Sequence, residues 1–208
     1  MEIIRTYWIF GVGFLAQLLF GIRIVIQWWI AEKRRESVSP SLFWKFSLAG
    51  SAIFLVYGIL RTDIVIIVGQ IISYVIYIRN LQLKGDWPKL SGVLRFFLAS
   101  IPPICMLWTL GMAHEVSFTT ALFQDMNGFL LVGAVGQVFL NLRFLYQWYY
   151  SEKQKQSILP TGFWWLSISG GVLVIIYSIY RRDPVLLLAQ GMAIVPYTRN
   201  LILSTKRN

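Results

Sequence analysis

The chain has 208 residues, of which 57% are hydrophobic and 13% charged, and its net charge is +10. This composition excludes an ordinary soluble domain, in which about a quarter of the residues are charged. Runs of about 20 mostly apolar residues instead predict membrane-spanning helices. Seven such runs follow one another, at about 7–30, 40–60, 64–82, 92–112, 128–150, 161–180 and 184–203. They leave no room for a soluble catalytic domain.

The basic residues predict an orientation. If the seven helices alternate in direction, most lysines and arginines outside them fall on one side, including Lys33, Arg34, Arg35, Lys153 and Lys155. The positive-inside rule makes that side the cytoplasm, so the N-terminus is expected outside and the C-terminus in the cytoplasm. The basic excess then contacts anionic lipid head groups, and no nucleic-acid partner is predicted.

The chain contains an internal repeat. Residues 17–83 align with residues 137–203 without a gap, at a constant offset of 120. Identical polar residues lie inside apolar stretches in both copies, which predicts a site at the interface between the repeats. The predicted organisation is a first three-helix repeat at 7–83, a linker helix with its loops at 84–127 and a second three-helix repeat at 128–203.

Three helices per repeat would invert the second copy unless an unpaired helix lay between the two. The predicted helix at 92–112 has no counterpart in the repeat and restores the orientation. The predicted fold is therefore an all-α membrane protein with seven transmembrane helices, built from two parallel three-helix repeats joined by a linker helix. This 3+1+3 arrangement resembles that of the SWEET sugar transporters.

A polar stripe lies on one face of the first predicted helix and recurs on the fifth. Its members are Gly13, Gln17, Arg23 and Gln27, and in the second copy Gly133, Gln137, Arg143 and Gln147. Arginine inside the hydrocarbon is costly and usually faces protein or water. Two guanidinium groups brought together would bind an anion such as phosphate through bidentate hydrogen bonds. The alternative is that each arginine extends to the cytoplasmic interface.

A second stripe lies on the third and seventh predicted helices. It contains Gln70, Tyr77 and Asn80, and in the second copy Gln190, Tyr197 and Asn200. Contact with a ligand and hydrogen bonding between adjacent helices both remain open for these residues. An aromatic belt is expected near the predicted cytoplasmic boundary, formed by the pairs Trp28/Trp148 and Trp44/Trp164.

Familiar catalytic motifs are missing from the sequence. The chain has one histidine and one cysteine, too few for a His/Cys metal cluster, and no Gly-rich phosphate loop follows a strand. The sequence therefore predicts that the protein is not an enzyme and that it uses no cofactor or metal.

Four motifs occur in both copies: Q-x5-R-x3-QW-x3-EK, P-x2-FW, Y-x3-R-x-D and Q-x6-Y-x-RN. This set resembles the lipid-A biosynthesis N-terminal domain family, which is similar to the PQ-loop and SWEET-like membrane proteins. The family takes its name from fusion to lipid-A-disaccharide synthase in some proteins. The resemblance implies a role near envelope glycolipids or polyprenyl-phosphate sugars in the bacterial inner membrane, and no catalytic residue is transferred from it.

The leading hypothesis is a transporter or flippase for a phosphate-bearing glycolipid, either a polyprenyl-phosphate sugar or a lipid A precursor. Arg23 and Arg143 would hold the phosphate, and the other polar residues of the two stripes would line the path. One alternative is a non-catalytic membrane subunit that positions a membrane glycosyltransferase. Another is a SWEET-like carrier of soluble sugars. The sequence sets neither the lipid nor the oligomeric state.

Overall fold

The computed structural model describes residues 2–61, 64–112, 128–182 and 184–205. All regular structure within these ranges is helical, which confirms the all-α class. The helices are α1 (Glu2–Arg34), α2 (Ser41–Leu60), α3 (Ile64–Leu83), α4 (Gly92–Met112), α5 (Gly128–Gln154), α6 (Thr161–Arg181) and α7 (Pro184–Thr205), with a 3-10 turn at Trp87–Lys89. Both α1 and α5 continue past their predicted apolar runs, because Glu, Lys and Arg are good helix formers. Residues 113–127 of the predicted linker region lie outside the described residues.

Among the described residues, five helices, α1 to α4 and α6, are long and apolar enough to cross a membrane by length and composition. The prediction of seven membrane spans is thus confirmed in part. The parallel 3+1+3 arrangement stays a prediction.

The chain divides into two compact units. The first contains Met1–Ile26 and Pro40–Ser117, and the second contains Gln27–Ser39 and Phe118–Asn208. Helix α1 is continuous from Glu2 to Arg34, so its last two turns and the loop that follows belong to the second unit. The domain limits predicted from the repeat stay a prediction.

The connections α1–α2 and α5–α6 have the same local geometry. Arg35 and Lys155 adopt left-handed backbone conformations, with φ of 54° and 52°. Each follows the last helical turn, and the next amide returns to a carbonyl five residues back, at Ala31 and Ser151. Such C-terminal caps satisfy carbonyls that the helix leaves unpaired. The repeat is therefore kept in the loops as well as in the helices.

Glycines set how closely the helices of each unit approach one another. A Cβ added at Gly133 would lie 2.6 Å from the Tyr177 ring, and one added at Gly13 would lie 2.9 Å from the Tyr57 ring. At Gly170 an added Cβ would meet a backbone carbonyl oxygen of α5 at 2.8 Å. Close crossings at small residues are typical of membrane helix pairs, and here they bring the arginines of α1 and α5 near their partner helices.

A compact turn follows α3 in the first unit. Its carboxylate, Asp86, forms an ion pair with Lys89 at 3.0 Å and lies 3.8 Å from Lys45 of α2. Hydrogen bonds from Ser41 and then from Lys89 lower the pKa of Asp86 below its ordinary value. The carboxylate therefore stays ionised at neutral pH and joins the start of α2 to the end of α3.

Candidate functional site

The clearest polar site of the second unit surrounds Arg143 on α5. The arginine is 8% exposed. Its Nη1 donates hydrogen bonds to Ser167 Oγ of α6 at 3.2 Å and to the Tyr197 hydroxyl of α7 at 2.9 Å. Ser167 in turn donates to the Phe163 carbonyl at 2.6 Å. Arg143 thus links α5 to the other two helices of the second repeat.

Arg23 of the first unit makes the equivalent contacts. It is 6% exposed, and its Nη1 donates to Ser47 Oγ at 2.8 Å and to the Tyr77 hydroxyl at 3.1 Å. Ser47 donates to the Phe43 carbonyl at 2.6 Å. Every member of this set lies 120 residues before its counterpart around Arg143. We call the two sets the arginine clusters.

Aromatic rings enclose the guanidinium group in both clusters. The Cζ atom of Arg143 lies 5.0 to 5.5 Å from the ring centres of Phe144, Tyr197 and Phe163. That of Arg23 lies 4.5 to 5.6 Å from three equivalent or neighbouring rings. Ring faces attract a cation when water is excluded. The clusters are therefore electropositive centres with apolar walls.

Trp44 and Trp164 belong to the walls of the clusters, not to an interfacial belt. They are 0% and 2% exposed, and their rings lie 5.9 and 6.2 Å from those of Tyr77 and Tyr197. The aromatic-belt prediction for this pair is wrong. Their position along the helix was close to the predicted boundary, but they lie on the face that packs inside the unit.

Arg143 is a buried cation that only neutral groups contact. Within the described residues, no carboxylate oxygen lies within 4.0 Å of it, and its Nε has no hydrogen-bond partner. A buried charge without an opposite charge is unfavourable, and the binding of an anion offsets that cost. Arg23 and Arg143 lie in separate units, so their predicted meeting at one anion stays a prediction.

The glutamines of the first stripe occupy two different environments. Gln17 and Gln137 are exposed, whereas Gln27 and Gln147 are 2% and 0% exposed. Gln147 Nε2 donates to the Ile158 carbonyl at 2.9 Å, and Gln27 Nε2 donates to the equivalent carbonyl of the first loop at 3.1 Å. The buried pair thus holds the helix-connecting loops, and the stripe is not one continuous surface.

Asn80 and Asn200 of the second stripe are both fully buried. Each donates from Nδ2 to the carbonyl four residues earlier in its own helix, at 2.9 and 2.8 Å. Asn200 also exchanges two hydrogen bonds with the side-chain amide of Gln27, at 2.7 and 3.1 Å. Asn200 therefore bonds its helix to α1, and the ligand contact predicted for Asn80 and Asn200 stays a prediction.

The other amides of this stripe, Gln70 and Gln190, are partly buried. Gln70 Oε1 accepts a hydrogen bond from Ser51 at 2.8 Å. In the second unit, Gln190 Oε1 is buried and has no partner among the described residues. The two repeats therefore differ here, although both glutamines are kept.

Sequence reasoning missed several contacts made by the end of α1 and its loop in the second unit. Arg199 binds Glu32 through two hydrogen bonds, at 2.6 and 2.7 Å. Trp164 Nε1 donates to Ser37 Oγ at 2.8 Å. Sequence reasoning also missed the serines of the arginine clusters. Their identity in both copies was the available signal, but serine within an apolar helix is easily taken for a small filler residue.

Comparison with known proteins gives a family and a set of relatives. The sequence model of the Lipid A Biosynthesis N-terminal domain matches residues 12–82 and again residues 132–202. The lipid-A-disaccharide synthase of Chlamydia pneumoniae is 31% identical over 209 residues, covering 97% of this chain and 34% of that protein. The synthase of Chlamydia muridarum is 29% identical, covering 97% of this chain and 35% of that protein. The synthase of Chlamydia caviae is 30% identical, covering 96% and 34%.

This chain thus spans about a third of the length of the curated relatives it matches. No solved structure matches it. The tandem match confirms the resemblance drawn from the repeated motifs. The prediction that the protein is not an enzyme is wrong, because relatives along nearly the whole chain are named for an enzyme. That prediction depended on the absence of short catalytic motifs. The similarity to the synthases instead extends over nearly the whole chain.

Proposed function

This chain belongs to the Lipid A Biosynthesis N-terminal domain family and is a membrane protein related to lipid A biosynthesis, and we propose that it binds the phosphate group of a glycolipid within the membrane. The observation that carries this proposal is the buried Arg143 guanidinium, which contacts only hydroxyl groups and ring faces of the described residues. The repeat provides an equivalent arginine at position 23.

The chemistry of the cluster favours phosphate. A guanidinium group has only donors, and its planar fork matches the oxygens of a phosphate. The Tyr197 hydroxyl accepts from Arg143 and keeps its own proton available for donation. Low dielectric inside the ring walls strengthens hydrogen bonds to an anion. A neutral sugar would leave the buried charge without compensation, which argues against a carrier of soluble sugars.

We favour movement of the bound glycolipid across the membrane as the purpose of this binding. The ligand class is a polyprenyl-phosphate sugar or a lipid A precursor. Support comes from the duplicated three-helix unit, because membrane carriers built from repeats bind near the repeat interface and rock one repeat against the other. In this proposal Gln17 and Gln137, which are exposed, line the path beside the arginine clusters.

A second candidate use is to hold the glycolipid for a glycosyl-transfer reaction. The observation that favours it is the name of the relatives, lipid-A-disaccharide synthase, which is an enzyme of glycolipid assembly. In this proposal the arginine clusters bind the lipid substrate, and a glycosyltransferase is the partner or the remainder of the protein.

Binding is tested with the purified protein and two probes that share one tail, polyprenyl phosphate and polyprenol. We expect wild type to prefer the phosphate, Arg143→Gln and Arg23→Gln to lose that preference, and Arg143→Lys to keep part of it. Lys153→Gln, which removes one positive charge from the exposed last turn of α5, is the matched control. Equal binding of both probes by wild type would refute phosphate recognition.

The two uses are separated in reconstituted vesicles. Transport predicts that polyprenyl phosphate crosses the bilayer without any sugar donor, and that Arg143→Gln slows the crossing. Substrate holding predicts no crossing, but faster glycosyl transfer when a lipid-A-disaccharide synthase and its substrates are added. If the protein binds phosphate normally but shows neither effect, both uses are rejected and only the proposal of phosphate binding stands.

A further inference from the structure

One buried position distinguishes the two repeats. In the first unit Ser51 of α2 is fully buried and donates to Gln70 Oε1 of α3 at 2.8 Å. The equivalent residues of the second unit are Gly171 of α6 and Gln190 of α7, so the serine hydroxyl is replaced by a hydrogen atom. Gln190 Oε1 is buried and has no hydrogen-bond partner among the described residues. A buried acceptor left in this state is unfavourable and rare in folded proteins.

A carbon added at Gly171 would lie beside the side-chain oxygen of Gln190. An added Cβ would lie 3.6 Å from Gln190 Oε1 and 3.2 Å from the δ-methyl group of Ile194. The first distance allows a hydroxyl on that carbon to reach the amide oxygen. The second requires only a small shift at the end of a side chain. The chain thus keeps the acceptor in both repeats and supplies its donor in one.

The acceptor lies on the same face of α7 as the second arginine cluster. Gln190 and Tyr197 are seven residues apart, which is close to two helical turns and about 10 Å along the axis. Tyr197 is the hydroxyl partner of Arg143. A ligand whose phosphate binds Arg143 therefore has its next group within range of Gln190 if it extends toward the N-terminal end of α7.

We propose that Gln190 Oε1, beside Gly171, accepts a hydrogen bond from a sugar hydroxyl of the bound glycolipid. This inference rests on the proposed function, because the phosphate at Arg143 places the sugar. A hydroxyl fits the amide oxygen as a donor, whereas a second phosphate or a carboxylate would be repelled by it. The second repeat thus recognises the sugar, while the first repeat fills the same position with its own serine.

The test uses the full chain and three probes with one tail: polyprenol, polyprenyl phosphate and polyprenyl phosphoglucose. Gly171→Ser supplies the donor that the first repeat has, and Gly171→Ala adds only the carbon. We expect wild type to bind the phosphoglucose lipid about three to ten times more tightly than polyprenyl phosphate, the range of one neutral hydrogen bond. Gly171→Ser should abolish this difference without changing the affinity for polyprenyl phosphate.

Thermal unfolding provides a second measurement. Gly171→Ser should unfold at a higher temperature than Gly171→Ala, because only serine gives Gln190 a partner. The mirror variant Ser51→Gly should unfold at a lower temperature than wild type. If Gly171→Ser keeps the full preference for phosphoglucose, the sugar subsite is refuted while phosphate binding at Arg143 stands. If wild type does not prefer polyprenyl phosphate to polyprenol, the proposed function fails and the subsite fails with it.

Discussion

The side-chain amides of Gln27 and Asn200 exchange two hydrogen bonds inside the second unit, at 2.7 and 3.1 Å. The two residues are 173 positions apart in the chain, and both are almost completely buried. Each amide also donates to a backbone carbonyl of its own segment. The pair therefore joins the end of the first repeat's leading helix to the last helix of the chain.

Replacing either amide of this pair should destabilise the protein more than the lost side-chain volume alone suggests. We expect Asn200→Ala to lower the free energy of unfolding by about 1–3 kcal/mol, because Gln27 is left with unsatisfied buried groups. The double variant with Gln27→Ala should cost less than the sum of the single changes. Unfolding in detergent measures all three. The same cycle on the exposed pair Glu32 and Arg199 is the control, and its coupling should vanish at high salt. Strict additivity at Gln27 and Asn200 would contradict the shared network.

Gly133, the glycine of the first stripe in the second repeat, should not tolerate a methyl group. Gly133→Ala places a carbon 2.6 Å from the Tyr177 ring, so overpacking should cost about 1–3 kcal/mol. The matched control is Gly191→Ala on α7, where no atom of the described residues outside the helix's own backbone lies within 4 Å of the added carbon. This variant should be neutral or gain up to about 1 kcal/mol from helix propensity. Equal thermal stability of the two variants would show that α5 and α6 do not pack at Gly133.

Asp86 should make stability depend on acid pH. Its pKa in the folded protein is lowered below the ordinary value of 3.8, first by Ser41 and then by Lys89. Its contribution to stability is therefore complete above pH 3.8 and is lost as the pH falls through the folded-state pKa. Asp86→Asn should be less stable than wild type at neutral pH and should lack this acid-dependent loss. Melting temperatures recorded from neutral pH to below 3.8 provide the measurement, and parallel curves for the two proteins would refute this role.

The predicted orientation is open to a labelling experiment. On a Cys105→Ala background, Arg61→Cys should react with an impermeant thiol reagent in intact cells, because the end of α2 is expected outside. Arg34→Cys, at the end of α1, should react only after the cells are opened. Both side chains are exposed on the folded chain, so burial within the protein does not prevent labelling at either position. Labelling of Arg34→Cys in intact cells would contradict the predicted orientation.

Much of the helical architecture follows from the sequence, because hydrophobic runs and the 120-residue repeat are local and periodic signals. The helix limits of α2, α3 and α4 differ from the predicted ones by a residue at most. The inward position of Arg23 also agrees with a polar stripe, although ligand binding there stays a prediction. The buried face of Trp44 was missed, because its distance from the helix end says nothing about the direction of its side chain.

Contacts between distant segments were beyond the reach of pattern reasoning. Nothing in the sequence pairs Gln27 with Asn200: hydrogen bonding between adjacent helices was open for the second stripe, but no partner could be named. The serines of the arginine clusters were missed for a related reason: their role exists only when three helices are brought together. The difference between Ser51 and Gly171 is visible in the aligned repeats, but its meaning depends on the neighbouring glutamine.

The continuity of α1 into the second unit has a consequence for biosynthesis. Gln27 leaves the ribosome before its amide partner Asn200, which is made 173 residues later. At about 5–20 residues per second, roughly 10–35 seconds separate the two. During that interval the end of α1 has to remain in the bilayer with part of its hydrogen-bonding capacity unmet. A chain truncated within α7 before Asn200 would keep the Gln27 amide without this partner permanently.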